Sequence, residues 1–200
     1  NQTGHKLPTG HIEGRRVWAS VRFYDGADQL LVEHGGYDPV EAELDEASTT
    51  VYEMKVGLSS DAAAATGLPA GVTHHMALAD TIELDNRIPP RGFAGAAFAA
   101  AGAPVVGAVY ADGQHWHDAT LPIPAGAVRA EVGLHYQSLP RHYIDGLRDG
   151  NVTDTRGEEL HALWTASGRG APLPMAAGEV PLTGALFADA FESGSTWAWS

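Results

Sequence analysis

Apolar and polar residues alternate with a period of two through much of this chain, the pattern of strands that lie with one face on a core. The clearest run is 128–136. There Val128, Ala130, Val132, Leu134 and Tyr136 point one way, and Arg129, Glu131, His135 and Gln137 point the other. In an earlier strand Val17, Ala19, Val21 and Phe23 share a face opposite Ser20, Arg22 and Tyr24. Asp25-Gly26-Ala27-Asp28 predicts a turn, and 30–34 returns as its partner strand. Residues 50–58 alternate with Tyr52, Met54, Val56 and Leu58 on one side. Met76, Leu78, Ile82 and Leu84 mark a further strand, with Asp80 on the same parity. Residues 105–110 are expected to pair with 116–121 across Asp112-Gly113.

Helical signals are few. Residues 141–149 form two turns with Tyr143, Ile144 and Leu147 together. Thr155-x-x-Glu158 reads as a capping box. It opens a helix that presents Leu160, Leu163 and Trp164 on one face and stops at Gly168. The Ala/Gly-rich segment 94–103 fits helix, strand or loop, and the Ala run 61–65 reads as loop. The expected fold is mainly β: an antiparallel β-sandwich, Ig-like or jelly-roll-like, with one or two short helices. Residues 1–184 form the sandwich domain and 185–200 a C-terminal tail segment.

Composition narrows the chemistry. With 25 acidic against 12 basic residues the net charge is −13, which repels nucleic acid and anionic lipid and either serves solubility alone or accommodates a cationic partner or divalent cations. The chain has no cysteine, which excludes disulfides, thiolate metal sites, thiol catalysis and covalent haem attachment within this segment. No apolar run is long enough for a membrane-spanning helix. The first residue is Asn1 rather than Met, so the chain is expected to be a processed or excised piece of something longer.

Ten histidines are many for 200 residues, and imidazole is the commonest side-chain ligand for transition metals and haem iron. His5 lies in a segment held out of regular structure by Gly4, Pro8 and Gly10, which suits either an axial ligand or a surface loop residue. His115-Trp116-His117 would put two imidazoles on one strand face, as a metal pair or as ordinary solvated polarity. His74-His75 precedes a strand, so the two rings diverge. With His74, His75 or Asp80 as a third ligand, the His-x-His pair would make a secreted metal-dependent enzyme. Asp145, Asp149, Asp154 and Glu158, with Asn151, surround a loop that offers oxygens to Ca²⁺ without EF-hand spacing. Arg87 and Arg91 in Asn86-Arg87-Ile88-Pro89-Pro90-Arg91-Gly92-Phe93 suit a haem propionate or local acids such as Asp80 and Asp85. The aromatic residues leave open a third class, a secreted adhesion or carbohydrate-binding sandwich.

Asn1-x-Thr3-Gly4-His5-Lys6-Leu7-Pro8-Thr9-Gly10, followed by Glu13 and Arg15-Arg16-Val17-Trp18, resembles a segment of bacterial multihaem c-type cytochromes with a β-rich C-terminal region. The likeness continues through 85–93 and 134–147 and covers most of 1–175. It implies a haem-free β domain in periplasmic or extracellular electron transfer rather than an enzyme. It also implies that His5 is a distal axial ligand to a haem c attached outside this segment, in an N-terminal domain or another subunit. Redox partner proteins and a homo-oligomer or filament belong to the same expectation. The run Phe187-Ala188-Asp189-Ala190-Phe191-Glu192-Ser193-Gly194 is similar to a C-terminal segment of secreted Gram-negative proteins, with Ala190 where Gly is usual, and supports export.

Overall fold

The computed structural model describes residues 1–182. The expected 185–200 tail lies outside these. The described residues are mainly β, with antiparallel strands gathered in three sheets.

The largest sheet runs β10 (Leu173–Pro181), β9 (Arg129–Gln137), β1 (Arg16–Tyr24), β2 (Leu30–His34), and β5 (Val51–Tyr52) also pairs with β1. β1 and β9 pair over their full length, from Arg16 opposite Gln137 to Tyr24 opposite Arg129. These are the two strands with the strongest alternation. The turn between β1 and β2 forms as its sequence demands: Asp25 Oδ1 accepts from the Ala27 and Gln29 amides at 2.8 and 2.9 Å.

Alternation fails as a guide at one end of this sheet. Val17 and Trp18 are both buried although they face opposite ways, so both faces are covered there. Gln137, read as solvent-facing, is buried with Arg16. Arg16 Nε donates to Gln137 Oε1 at 2.8 Å, and the Gln137 amide donates to the Gly170 carbonyl at 2.8 Å. A buried polar pair of this kind looks like surface in a hydropathy pattern.

Residues 50–58 do not form one strand. The chain leaves the main sheet at Glu53, and β6 (Met54–Leu58) starts a second sheet in the order β7 (Gly71–Val72), β6, β8 (Thr81–Asp85). Asn86 holds the crossing, accepting from the Glu53 amide at 2.9 Å and donating to the Val51 carbonyl at 2.7 Å. Tyr110 clamps Asn86 in turn through a 2.8 Å bond to its carbonyl. Burial, then Tyr52 and Asp85, push the Tyr110 phenol up to about 12, so it stays a donor. β3 (Tyr37–Asp38) and β4 (Glu43–Leu44) form a small third sheet.

Several expectations are corrected. Residues 76–79 are not strand, and Met76 and Leu78 are exposed. The 105–121 hairpin does not form. Val106 makes only an isolated bridge to Asp85, and the chain turns at 111–114 without strands on either side. Four α-helices occur among the described residues rather than one or two: α1 (Ser60–Thr66), α2 (Gly95–Ala100), α3 (Arg141–Gly150) and α4 (Arg156–Ala166). α1 is the Ala run read as loop. Ser59 Oγ accepts from the Ala62 amide and Gly67 closes the end at φ 74°, which lets a short run of the best helix formers persist. The Thr155 capping box is absent: Thr155 Oγ1 donates to Glu159, and Asp154 accepts from the Arg156 amide. α4 buries Gly157 and Trp164, while Leu163 is exposed. Ala42, Ile144 and Trp164 form a core cluster with Tyr37 and Tyr143 against it.

Candidate functional site

Residues 1–10 are irregular and tightly braced. The Asn1 amide Nδ2 donates to the carbonyls of His5 and Ile88, both at 2.8 Å. The Thr3 hydroxyl lies 2.7 Å from Asn1 Oδ1 and 2.8 Å from the His5 carbonyl. Leu7 and Ile88 exchange two backbone hydrogen bonds, at 2.9 and 3.1 Å. The Arg15 guanidinium donates to the Thr9 carbonyl at 2.8 Å and packs against Gly10, where φ is 86° and any side chain would collide with it.

The strongest brace is ionic. Lys6, next to His5, is buried, and its Nζ donates to Asp85 Oδ2 and to the Pro104 carbonyl, each at 2.7 Å. Arg87 donates to both oxygens of the same carboxylate at 2.8 Å. Two cations thus flank one fully buried carboxylate at the end of β8. The His5 ring itself is exposed. The geometry is an imidazole in solvent on a backbone fixed before and after it.

Of the two arginines, Arg87 takes the local acid, Asp85, and its guanidinium is spent inside the fold. Arg91 is exposed. It occupies the tip of a turn in which the Phe93 amide donates to the Pro90 carbonyl at 3.1 Å, with Gly92 at φ 80° and Pro89 and Pro90 buried beneath. The turn begins two residues past Ile88, which is bonded to Asn1 and Leu7, so Arg91 stands on the segment that carries the His5 loop. The Asn1 backbone nitrogen donates to the His115 carbonyl at 2.6 Å, bringing 113–117 to the same edge. There Trp116 is 49% exposed, and its ring stands edge-on to His115 at 5.0 Å.

The other expected ligands do not converge. His115 and His117 are not on a strand, and they have different partners: His115 Nδ1 lies 3.2 Å from the Gly113 carbonyl, and His117 Nδ1 lies 2.7 Å from the Tyr52 hydroxyl. Asp80 accepts from the Ser59 amide and hydroxyl at 2.7 and 2.6 Å, bonds that hold its carboxyl below the usual pKa. His74 and His75 line a separate cleft beside α3. Among the described residues no three His, Asp or Glu side chains are grouped to hold a metal ion. The Ca²⁺ expectation finds no support. Asp145 pairs with Arg141, Arg148 and His161, Asp149 with Arg148, and Asp154 with Asn151 and Arg156.

Residue pattern anticipated Asp85 as a partner for Arg87 but missed Lys6 as the second cation on that carboxylate. Lys6 and Asp85 are far apart in sequence, and a buried Lys beside a motif histidine carries no periodic signal.

No family model and no curated protein matches the chain. Among solved structures it is similar to a penta-heme cytochrome c552 from Thermochromatium tepidum, at 16% identity and a TM-score of 0.48. The match covers 89% of this chain and 33% of that one, so the chain spans about a third of that protein's length. A likeness this distant assigns no activity. No helix among the described residues is long and apolar enough to cross a membrane.

Proposed function

We propose that this chain is the haem-free β domain of a multihaem c-type cytochrome, acting in electron transfer outside the cytoplasm. The domain offers His5 as a distal axial ligand to a haem c bound covalently by an N-terminal domain or another subunit. The observation that carries this reading is the exposed His5 imidazole on a loop braced by Asn1, Thr3 and the Lys6–Asp85–Arg87 cluster. An axial ligand works best when its position is set before the iron arrives, because ordering a free loop costs conformational entropy.

The residues present fit such a group. His5 supplies the nitrogen donor. Arg91, exposed on its turn, supplies a cation for a propionate. Trp116 supplies apolar surface at the same edge. The haem carries the electron, and the chain's part is to ligate, to exclude water and to set local charge. No catalytic step is assigned to the domain. Redox proteins are the partners this role requires, and an oligomer or filament of further copies is compatible with it.

His5→Ala in the full-length protein tests the reading. One haem is expected to change from six- to five-coordinate in its absorption spectrum. A full set of unchanged haem spectra would remove His5 from the iron and leave the proposal without its anchor.

A further inference from the structure

Asn151-Val152-Thr153 has the form Asn-x-Thr with no proline between, the acceptor pattern for an N-linked sugar. Asp149 stands two residues before Asn151, which gives the longer Asp-x-Asn-x-Thr form used in bacterial glycan transfer. A match this short carries weight only on an exposed, irregular loop with a free amide nitrogen.

The chain supplies that setting. α3 ends at Gly150, α4 starts at Arg156, and the residues between are irregular. Val152 is 89% exposed, and Thr153, Asp154 and Thr155 are exposed beside it. The Asn151 side-chain oxygen is turned back on the loop, where it accepts from the Thr153 backbone amide at 3.2 Å and hydroxyl at 3.1 Å. The acceptor hydroxyl of the pattern thus already touches the amide that would be modified. Asn151 Nδ2 donates to Asp154 Oδ1 at 2.8 Å, a bond at the surface. A primary amide has two N–H groups, so the second is left for a new bond.

Asn1-Gln2-Thr3 has the same pattern and the opposite setting. Asn1 Nδ2 already donates to the carbonyls of His5 and Ile88. A sugar on that nitrogen would remove one of these bonds and loosen the brace. At Asn151 a sugar has room: residues 151–153 line a cleft of about 600 Å³ that Leu68, Pro69 and Val72 also line. Val72 is 57% exposed and offers apolar surface to the C–H face of a pyranose.

We propose that Asn151 is an N-glycosylation site whose donor is a lipid-linked oligosaccharide pyrophosphate. Asn151 Nδ2 bonds to the anomeric carbon, the bond from that carbon to the pyrophosphate oxygen breaks, and the amide proton passes to a base of the transferring enzyme. The site is independent of His5 and takes from the proposed function only a location outside the cytoplasm.

Peptide mass spectrometry of full-length protein purified from its native host tests it. The peptide that contains Asn151 is expected to carry a sugar mass. Asn151→Gln and Thr153→Ala should each lose it, Thr153→Ser, which keeps the hydroxyl, should retain it, and Asn1→Gln should leave it unchanged. The haem spectra of the His5→Ala protein are a separate readout, so failure here and failure of the His5 reading are told apart. An Asn151 peptide at its bare mass, a sugar that survives Thr153→Ala, or a sugar on Asn1 instead overturns the assignment.

Discussion

The Lys6 ammonium lies 2.7 Å from Asp85 Oδ2, and the two side chains are 3% and 0% exposed. With Arg87 on the same carboxylate, the cluster holds two cations and one anion in the fold. Burial lowers the Lys6 pKa, and the Asp85 hydrogen bond opposes that shift. Removing the shared anion is therefore the harsher lesion. Asp85→Ala strands two cations at a buried site and is expected to cost about 3–5 kcal/mol in denaturant unfolding. Lys6→Met leaves Asp85 paired to both arms of Arg87 and should cost clearly less. Equal losses for the two variants would show that the carboxylate is not the shared anchor.

What the sequence revealed and what it hid follow from range. The β1–β2 turn, the long strands β1 and β9, and α3 depend on local pattern, and each appears close to where periodicity puts it. Elements that depend on distant partners were misread. Residues 50–58 alternate without a break, yet Asn86 draws the chain from one sheet to the next at Glu53. Asp112-Gly113 turns as its residue types favour, but no partner ladder forms around it. At the site, the motif drew attention to His5 and local acids were offered to Arg87, but the Lys6–Asp85 half of the brace stayed unseen, because the two residues are 79 positions apart.

Glu53 gives a pH signature. Burial, only partly offset by a hydrogen bond and the charge of Lys55, raises its pKa above the usual 4.5. The folded state then binds the proton more tightly than the unfolded state. The contribution to stability is fully present below the unfolded pKa and is lost as pH rises through the folded pKa. Glu53→Gln removes this penalty. The variant should be more stable than the unsubstituted protein at pH 7, with the gain vanishing below pH 4.5 in parallel melts. A gain that does not change with pH contradicts the assignment.

Gln137 tests the buried polar pair. It accepts from Arg16, which is 2% exposed, and donates to the Gly170 carbonyl. Gln137→Leu is near in size and more apolar, so a simple hydrophobic count expects a gain. Leaving the Arg16 Nε–H and the Gly170 carbonyl without these partners should instead cost about 1–3 kcal/mol. Chemical denaturation at matched slope decides between the two signs.

Arg91 separates ligand chemistry from folding. Its guanidinium stands exposed on a turn whose shape comes from Pro90, Gly92 and buried Phe93. Arg91→Gln should therefore change stability by no more than about 0.5 kcal/mol, as surface substitutions usually do. If the proposed function holds, the same substitution removes a positive charge beside the His5-ligated haem. The oxidised form, with its extra positive charge, is then favoured, and that haem's reduction potential falls. The shift should shrink with added salt, because the charge is exposed and screened. Redox titration of full-length protein at two ionic strengths measures it. A potential that does not move, alongside unchanged stability, would take Arg91 away from the propionate and leave it an ordinary surface cation.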